Sequence, residues 1–360
     1  MKKHIAVLPG DGVGPEVVAE AVKVLKKIGE KYHHEFTFEE GLIGGVAIDT
    51  VGEPFPEETE QLCKKADAIL FGAIGDPKYD NDPTAKVRPE QGLLKMRKTL
   101  GLYANVRPIM TFDATINQSP LKREIVEGSD FVVIRELIGG IYFGKKGRKE
   151  NGNTAYDIST YSVEEITRVS QFAFDLVLKR RKKREERRIE SKLTLVDKAN
   201  VLETSRLWRE TVQKIYKDYP DVSVEYMFVD NASMQIIKRP TSFDVILTEN
   251  MFGDILTDEA SVITGSIGML PSASIGEKTS VYEPIHGSYP KAAGQNTANP
   301  IGTILSAAMM LEYSFGMMEE GKAIRKAVHT ILANGSGTKD ICKENNISTS
   351  KMGDLVAESL

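Results

Sequence analysis

Two aspartates in the string MFGDILTD, Asp254 and Asp258, stand four residues apart behind a strand-like apolar run, FDVILT. On a helix they share one face about 5–6 Å apart, where like charges cost a few tenths of a kcal/mol unless a cation lies between them. Hard oxygen ligands at that spacing suit Mg2+ or Mn2+, which keep several waters and take up substrate oxygens. Such pairs also occur on plain solvated helix faces, so the weight of this one depends on its neighbours. Asp230, in FVDNASM at the end of another strand-like run, offers a third carboxylate. Lys198 directly follows the strand-like LTLVD and precedes a helix from about Val201. A lysine beside a divalent cation and arginines has its ammonium form disfavoured, so it can serve as a general base. Tyr142 follows the paired glycines of GGIYFG, and its phenol can donate a proton.

Three arginines sit where they could meet an anionic substrate. Arg97 lies on the helical stretch EQGLLKMRKTL, Arg107 ends LYANVRP, and Arg135 ends DFVVIRE. Arginines at strand ends can converge in a cleft, where the planar guanidinium binds carboxylates bidentately. Glu90, Leu93 and Leu94 fall at i, i+3 and i+4, so one face of the helix that carries Arg97 sets a carboxylate beside two apolar groups.

The elements that must hold these side chains alternate along the chain. The runs IAVL, ADAILFG, DFVVIRE, LTLVD, VSVEYMFVD and FDVILT are each followed by a loop or a helix start, which predicts an α/β fold with a largely parallel sheet. Apolar helical sequence returns late, from Ile301 to Phe315, so a discontinuous domain is expected. At 360 residues, 41% of them hydrophobic and 27% charged, the chain suits one large α/β unit or two domains. The formal charge of -4 argues against a surface that seeks nucleic acid. No apolar run approaches the roughly 18 residues that span a bilayer, and the start, MKKHIAVLPGDG, is too short in apolar residues for a signal peptide. A cytoplasmic protein is expected. Cys63 and Cys342 have no ligand spacing and read as free thiols.

Two stretches invite other readings. PGDGVGPE places a glycine-rich turn between a strand and a helix, but Gly10-x-Gly12-x-x-Pro15 lacks the third glycine, and Glu30 lies within a helical run. The Rossmann fingerprint is therefore rejected. The run KRRKKREERRIESK, residues 179–192, carries nine basic and three acidic side chains. The apolar stripe Ile166, Val169, Ala173 and Val177 stops near Leu178, so the run reads as a solvated, projecting helix end with Arg/Glu pairs rather than a nucleic-acid patch.

Taken together, LPGDGVGPEV, GLLKMRKTLGLYANVRP, RELIGGIYFG, VDKANVLETSRLWRE, MFVDNASMQ, TENMFGDILTDEAS, MLPSAS, EPIHGSYP and TANP closely resemble the isocitrate/isopropylmalate family of β-decarboxylating dehydrogenases, nearly end to end. The resemblance implies an α/β fold that is not Rossmann, with a sheet running through two domains. A discontinuous cofactor-binding domain would comprise 1–102 and 265–360, and 103–264 would bind substrate and metal and form a homodimer. It implies oxidative decarboxylation of (2R,3S)-3-isopropylmalate to 4-methyl-2-oxopentanoate with NAD and Mg2+ or Mn2+, in leucine biosynthesis. D-malate, tartrate and homoisocitrate are the alternative substrates. Arg97, Arg107 and Arg135 would clamp substrate carboxylates, and Asp254 and Asp258 would bind the metal with Asp230 of the other subunit. Lys198, also from the partner chain, would take the hydroxyl proton, and Tyr142 would protonate the carbon after CO2 leaves. Glu90, Leu93 and Leu94 would choose the substrate, two leucines favouring an isopropyl group by very roughly 1–3 kcal/mol.

The resemblance also assigns the cofactor loop to His286–Pro300, with His286, Gly287, Ser288, Tyr289, Pro290, Lys291, Ala292 and Asn299 about the adenosine. Lys291 departs from the pattern, since NAD-using relatives carry Asp there and NADP-using relatives carry Lys followed by Tyr. Here Ala292 follows, half of the phosphate-binding pair is missing, and NAD is expected. Ile138 replaces the Thr of RELTGG, and the basic run is longer than the family's short KRRK linker.

Overall fold

The structure, a computed structural model, describes residues 1–81, 85–186, 190–344 and 346–360. In chain order the strands are β1 (Lys2–Gly10), β2 (Glu35–Glu40), β3 (Ala68–Ala73), β4 (Leu102–Met110), β5 (Asp130–Glu136) and β6 (Lys146–Lys149). There follow β7 (Thr154–Asp157), β8 (Lys192–Asp197), β9 (Ser223–Phe228), β10 (Val245–Thr248), β11 (Pro271–Gly276) and β12 (Val281–Pro284). The chain divides into two compact units. The first comprises Met1–Leu102, Phe112–Gln118 and Gly265–Leu360, and the second Tyr103–Thr111 and Ser119–Thr264.

In the first unit the strand order is β2-β1-β3-β12-β11, parallel except for the β11/β12 pair. β3, AILFGA, is buried at every position, as expected of a parallel strand covered on both faces. The helix Ile301–Tyr313 is largely apolar, and its residues from Ile301 to Leu311 are all buried, so it is a core helix rather than an amphipathic one. The turn after β1 is closed on the chain itself. Val13 N–H donates to Ser288 O at 2.8 Å, and the Asp11 carboxylate accepts N–H groups of Gly45, Val46 and Gly75, each at 2.9 Å.

In the second unit the order is β4-β5-β10-β8-β9, parallel except for β4/β5, and β6 and β7 form a separate antiparallel ribbon. β5 and β10 are buried throughout. Asp230 is not at a strand end: β9 stops at Phe228, and Asp230 occupies the first turn of the helix Val229–Lys238, where a carboxylate is favoured by the helix dipole. The helix after Lys198 begins at Glu203 rather than Val201, because Lys198 O first closes a turn with the N–H groups of Val201 and Leu202.

The basic run departs further from its reading as a solvated end. Its residues 187–189 lie outside the described residues. The helix Val163–Glu186 does bury Ile166, Val169, Ala173 and Val177, but its inward face continues into the charged part. Arg184 is only 2% exposed and donates to the carbonyls of Asp130, Phe243 and Glu190. Arg180, one turn earlier, donates to Asp244 Oδ1 at 2.7 Å and to Asp130 Oδ1 at 3.1 Å. The stripe thus changes from aliphatic groups to guanidinium groups where the underlying partners change to carboxylates and strand-end carbonyls. Arg181 and Glu185 do form the expected i,i+4 pair on the outer side. Among the described residues no helix is long and apolar enough to cross a membrane.

Candidate functional site

The second unit assembles a charged constellation from four elements. β10 runs into the helix Asn250–Ser261, so Asp254 and Asp258 share one of its faces, one turn apart. β5 delivers Arg135, which is 1% exposed, and β4 delivers Arg107, which is 9% exposed. Arg135 Nη1 donates to Asp254 Oδ1, and its Nε donates to Asn250 Oδ1 at 2.9 Å. Arg107 Nη1 donates to Thr257 Oγ1 at 2.7 Å and to Asp258 Oδ1 at 3.3 Å, while Nε donates to Asn105 Oδ1 at 2.7 Å. Gly253 makes this packing possible, since a Cβ there would fall 2.6 Å from Arg135 Cγ. Tyr142, from the short turn Gly140–Tyr142, donates its hydroxyl to Asp254 Oδ2 at 2.8 Å.

These contacts set the protonation states. Burial pushes the Asp254 carboxyl up, but the Arg135 charge, the Tyr142 hydroxyl and the Arg107 charge together outweigh it, and the group is held below the usual carboxylate range. Burial, followed by the bond to Asp254, pushes the Tyr142 phenol up to about 12, so it carries its proton at neutral pH. The carboxylates stay open: the Asp254 side chain is 37% exposed and that of Asp258 68%. Two carboxylates on one helix face, with guanidinium groups behind them, fit a hard divalent cation on their open side.

Lys198 and Asp230 form a separate pair in the same unit. Lys198 Nζ is 3.0 Å from Asp230 Oδ1, and this bond is the main cause that lowers the Asp230 carboxyl. Within one chain the described residues hold no cluster of three or more His, Cys, Asp or Glu arranged for a metal ion. Asp230 pairs with Lys198.

The first unit places Glu90, Leu93, Leu94 and Arg97 on the helix Pro89–Thr99. Glu90 is exposed, Leu93 and Leu94 are half-buried, and Arg97 is buried with Nη2 3.9 Å from Glu283 Oε1. The leucines are thus not core residues. The same unit contains a cavity of about 450 Å3 lined by Val13, Ile267, His286, Tyr289, Asn299 and Asp340 among others. Asn299 is locked there: Oδ1 accepts the Ile301 N–H at 3.0 Å, and Nδ2 donates to Asp340 Oδ2 at 2.9 Å. Burial pushes the His286 imidazole down, so the ring is neutral. Its Nδ1 lies 2.9 Å from Gly287 O, and its Nε2 is buried with no partner among the described residues. An apolar cleft with one fixed amide and one unsatisfied imidazole nitrogen fits a flat heteroaromatic ring with polar edges. Gly287, Ser288 and Pro290 continue the loop; Tyr289 is 60% exposed in the left-handed region, and Lys291 is exposed. Ala292 turns inward and packs with Val13, Val17 and Ala298.

Sequence reading missed several residues. Asp340 accepts from Asn299, Ser266 and Thr338, yet it sits in a Gly/Ser/Lys/Asn-rich tail with no motif to mark it. Glu249 and Asn250 directly precede the aspartate string, and an acid three residues before Phe252 was a readable N-cap signal.

Comparison with known proteins places the chain in a family. A family model described as isocitrate/isopropylmalate dehydrogenase matches residues 4–356. A protein named 3-isopropylmalate dehydrogenase from Aquifex aeolicus is 54% identical over 366 residues, covering 100% of this chain and 98% of the relative. One of the same name from Carboxydothermus hydrogenoformans is 56% identical over 362 residues, covering 99% and 94%. Among solved structures, isocitrate dehydrogenase from Methylococcus capsulatus superposes with a TM-score of 0.86 at 31% identity, covering 99% of both chains.

Proposed function

The chain belongs to the isocitrate/isopropylmalate dehydrogenase family, and from that premise we propose that it oxidises and decarboxylates (2R,3S)-3-isopropylmalate to 4-methyl-2-oxopentanoate, a step of leucine biosynthesis, with NAD and a divalent cation. The observation that carries the reading is the open carboxylate pair Asp254/Asp258 backed by Arg135, Arg107 and the Tyr142 hydroxyl. When bound, Mg2+ or Mn2+ would supply a Lewis acid at the substrate hydroxyl oxygen, and the nicotinamide would accept hydride.

The rest of the chemistry falls to side chains. Arg107 and Arg135 are already desolvated and aimed, so they bind substrate carboxylates without much ordering cost, and Arg97 is proposed as a further carboxylate-binding arginine. Tyr142 keeps its proton at neutral pH and can deliver it to carbon after CO2 has gone. Lys198 would take the hydroxyl proton. Its pairing with Asp230 makes the two a unit, and we assign both to the site of a second copy, with Asp230 completing the metal ligands. Exposed apolar side chains support a homodimer: Met234 is 56% and Ile255 60% exposed, on two helices joined by a Ser233–Glu259 hydrogen bond of 3.1 Å.

The half-buried Leu93 and Leu94 favour an isopropyl group over a third carboxylate. The first unit's cleft would take the adenosine of NAD, with His286 and Asn299 at its polar edges, and Ala292, turned inward, offers nothing to a 2′-phosphate. The test is a panel of isopropylmalate, isocitrate, D-malate, tartrate and homoisocitrate, each with NAD+ and NADP+. Isopropylmalate with NAD+ is expected to give the highest kcat/KM, and a higher value for any other pair overturns that part of the proposal.

A further inference from the structure

Tyr161, on the segment between β7 and the helix Val163–Glu186, reaches the two parts of the second unit that carry Asp254 and Tyr142. Its hydroxyl donates to Glu249 Oε2 at 3.1 Å and accepts the Asn250 N–H at 2.9 Å. Those residues open the helix of Asp254 and Asp258, and Glu249 Oε1 caps it by accepting the Phe252 N–H at 2.8 Å. The same tyrosine lies against the glycine pair that leads into Tyr142. A Cβ on Gly139 would fall 2.6 Å from Tyr161 Cε1, and one on Gly140 2.4 Å from its hydroxyl oxygen. Asn250 Nδ2 donates to Gly139 O at 3.0 Å, and Gly140 N–H donates to Thr160 O at 3.0 Å. Asn250 Oδ1 in turn accepts Arg135 Nε. Trp208 stands edge-on to the Tyr161 ring, 5.4 Å away at 82°.

We infer that Tyr161 is a positioning residue for the reaction proposed above, an inference that rests on that reading. Its ring fills the space the glycines leave, and its hydroxyl is bonded on both sides to the N-terminus of the metal-binding helix. The phenol therefore fixes the distance between the turn that carries Tyr142 and the helix that carries Asp254, and through Asn250 it aims Arg135. Two glycines alone would leave that turn with wide φ/ψ freedom, and a displacement of order 1 Å between reacting groups costs on the order of 100-fold in rate.

Tyr161→Phe keeps the ring against Gly139 and Trp208 and removes both hydroxyl links. Its kcat on isopropylmalate is expected to fall roughly 10- to 100-fold, with KM and Tm near those of the wild type. Amide hydrogen exchange of residues 138–144, and of Asn250 whose N–H loses its acceptor, should rise while that of the rest of the chain stays unchanged. Tyr161→Leu, which also removes the ring, should lower kcat further. Unchanged kcat or unchanged exchange in the Phe variant overturns the inference, as does a kcat loss matched by a fall in Tm. A wild-type chain that turns over none of the hydroxy acids overturns the functional reading instead, and the exchange arm then still decides whether Tyr161 holds the turn.

Discussion

At the start of β5, Asp130 meets Arg180 and Arg184; near its end, Arg135 meets Asp254. The next strand repeats the arrangement, with Asp244 just before β10 engaging Arg180 and the helix just after β10 presenting Asp254 and Asp258. The two arginine–aspartate clusters use the same residue types at opposite ends of the same strands, and they differ in what is left over. In the first, the Asp130 and Asp244 side chains are 9% and 0% exposed, and the guanidinium groups also serve strand-end carbonyls. In the second the arginines are buried but the carboxylates face solvent at 37% and 68%. A closed cluster has spent its bonding capacity on the fold, whereas an open one holds ionised oxygens in place for something that arrives later.

The sharpest way to break this comparison is to remove one carboxylate from each end. Asp254→Asn should lower kcat at saturating Mn2+ by at least roughly 10⁴-fold, about 5 kcal/mol of barrier, while Tm stays near that of the wild type. Asp244→Ala should do the opposite. It takes one carboxylate from the buried Arg180 and Arg184, while Asp130 stays beside Arg180, and should cost on the order of 3 kcal/mol in urea unfolding, with kcat per folded molecule unchanged. An Asp244→Ala protein of wild-type stability would show that the closed cluster does not hold the fold.

A subtler contrast comes from Glu136, the last residue of β5, which is fully buried and accepts the N–H groups of Ile138 and Gly139. Burial pushes its carboxyl up to about 7 against those two bonds. Above an unfolded-state pKa of 4.5 the unfolded chain gives up this proton while the folded chain keeps it, so stability falls as pH rises from about 4.5 to 7 and then levels off. The loss is of order 3 kcal/mol. Glu136→Gln should flatten that slope in a series of Tm measurements against pH, and an unchanged slope would remove Glu136 as its cause.

The comparison also explains what could be read in the chain. The alternation of apolar runs with helical stretches was legible because each strand's burial is written in its own residues, as in AILFGA and DFVVIRE. Asp254, Asp258, Arg135 and Tyr142 were legible as candidates because an i,i+4 spacing, a strand end and a glycine pair are local features. Arg107 also reads locally as a strand end, but it sits inside β4, which runs on to Met110. The inward face of the basic run was not, since Arg180 and Arg184 find their partners on strands far away in sequence, and a charge run read alone looks like a solvated surface. Tyr161 was hidden for the same reason: its partners Glu249 and Asn250 lie 88 and 89 residues further on. Asp230 was misplaced at a strand end because a helix that starts without a break after β9 leaves no punctuation between the two.

Mn2+ binding followed by electron paramagnetic resonance, with isopropylmalate present, tests the open-pair account most directly. The wild type and folded Asp244→Ala should each bind the ion, and Asp254→Asn should bind it at least about 100-fold more weakly. Equal affinity for the wild type and Asp254→Asn would contradict the account.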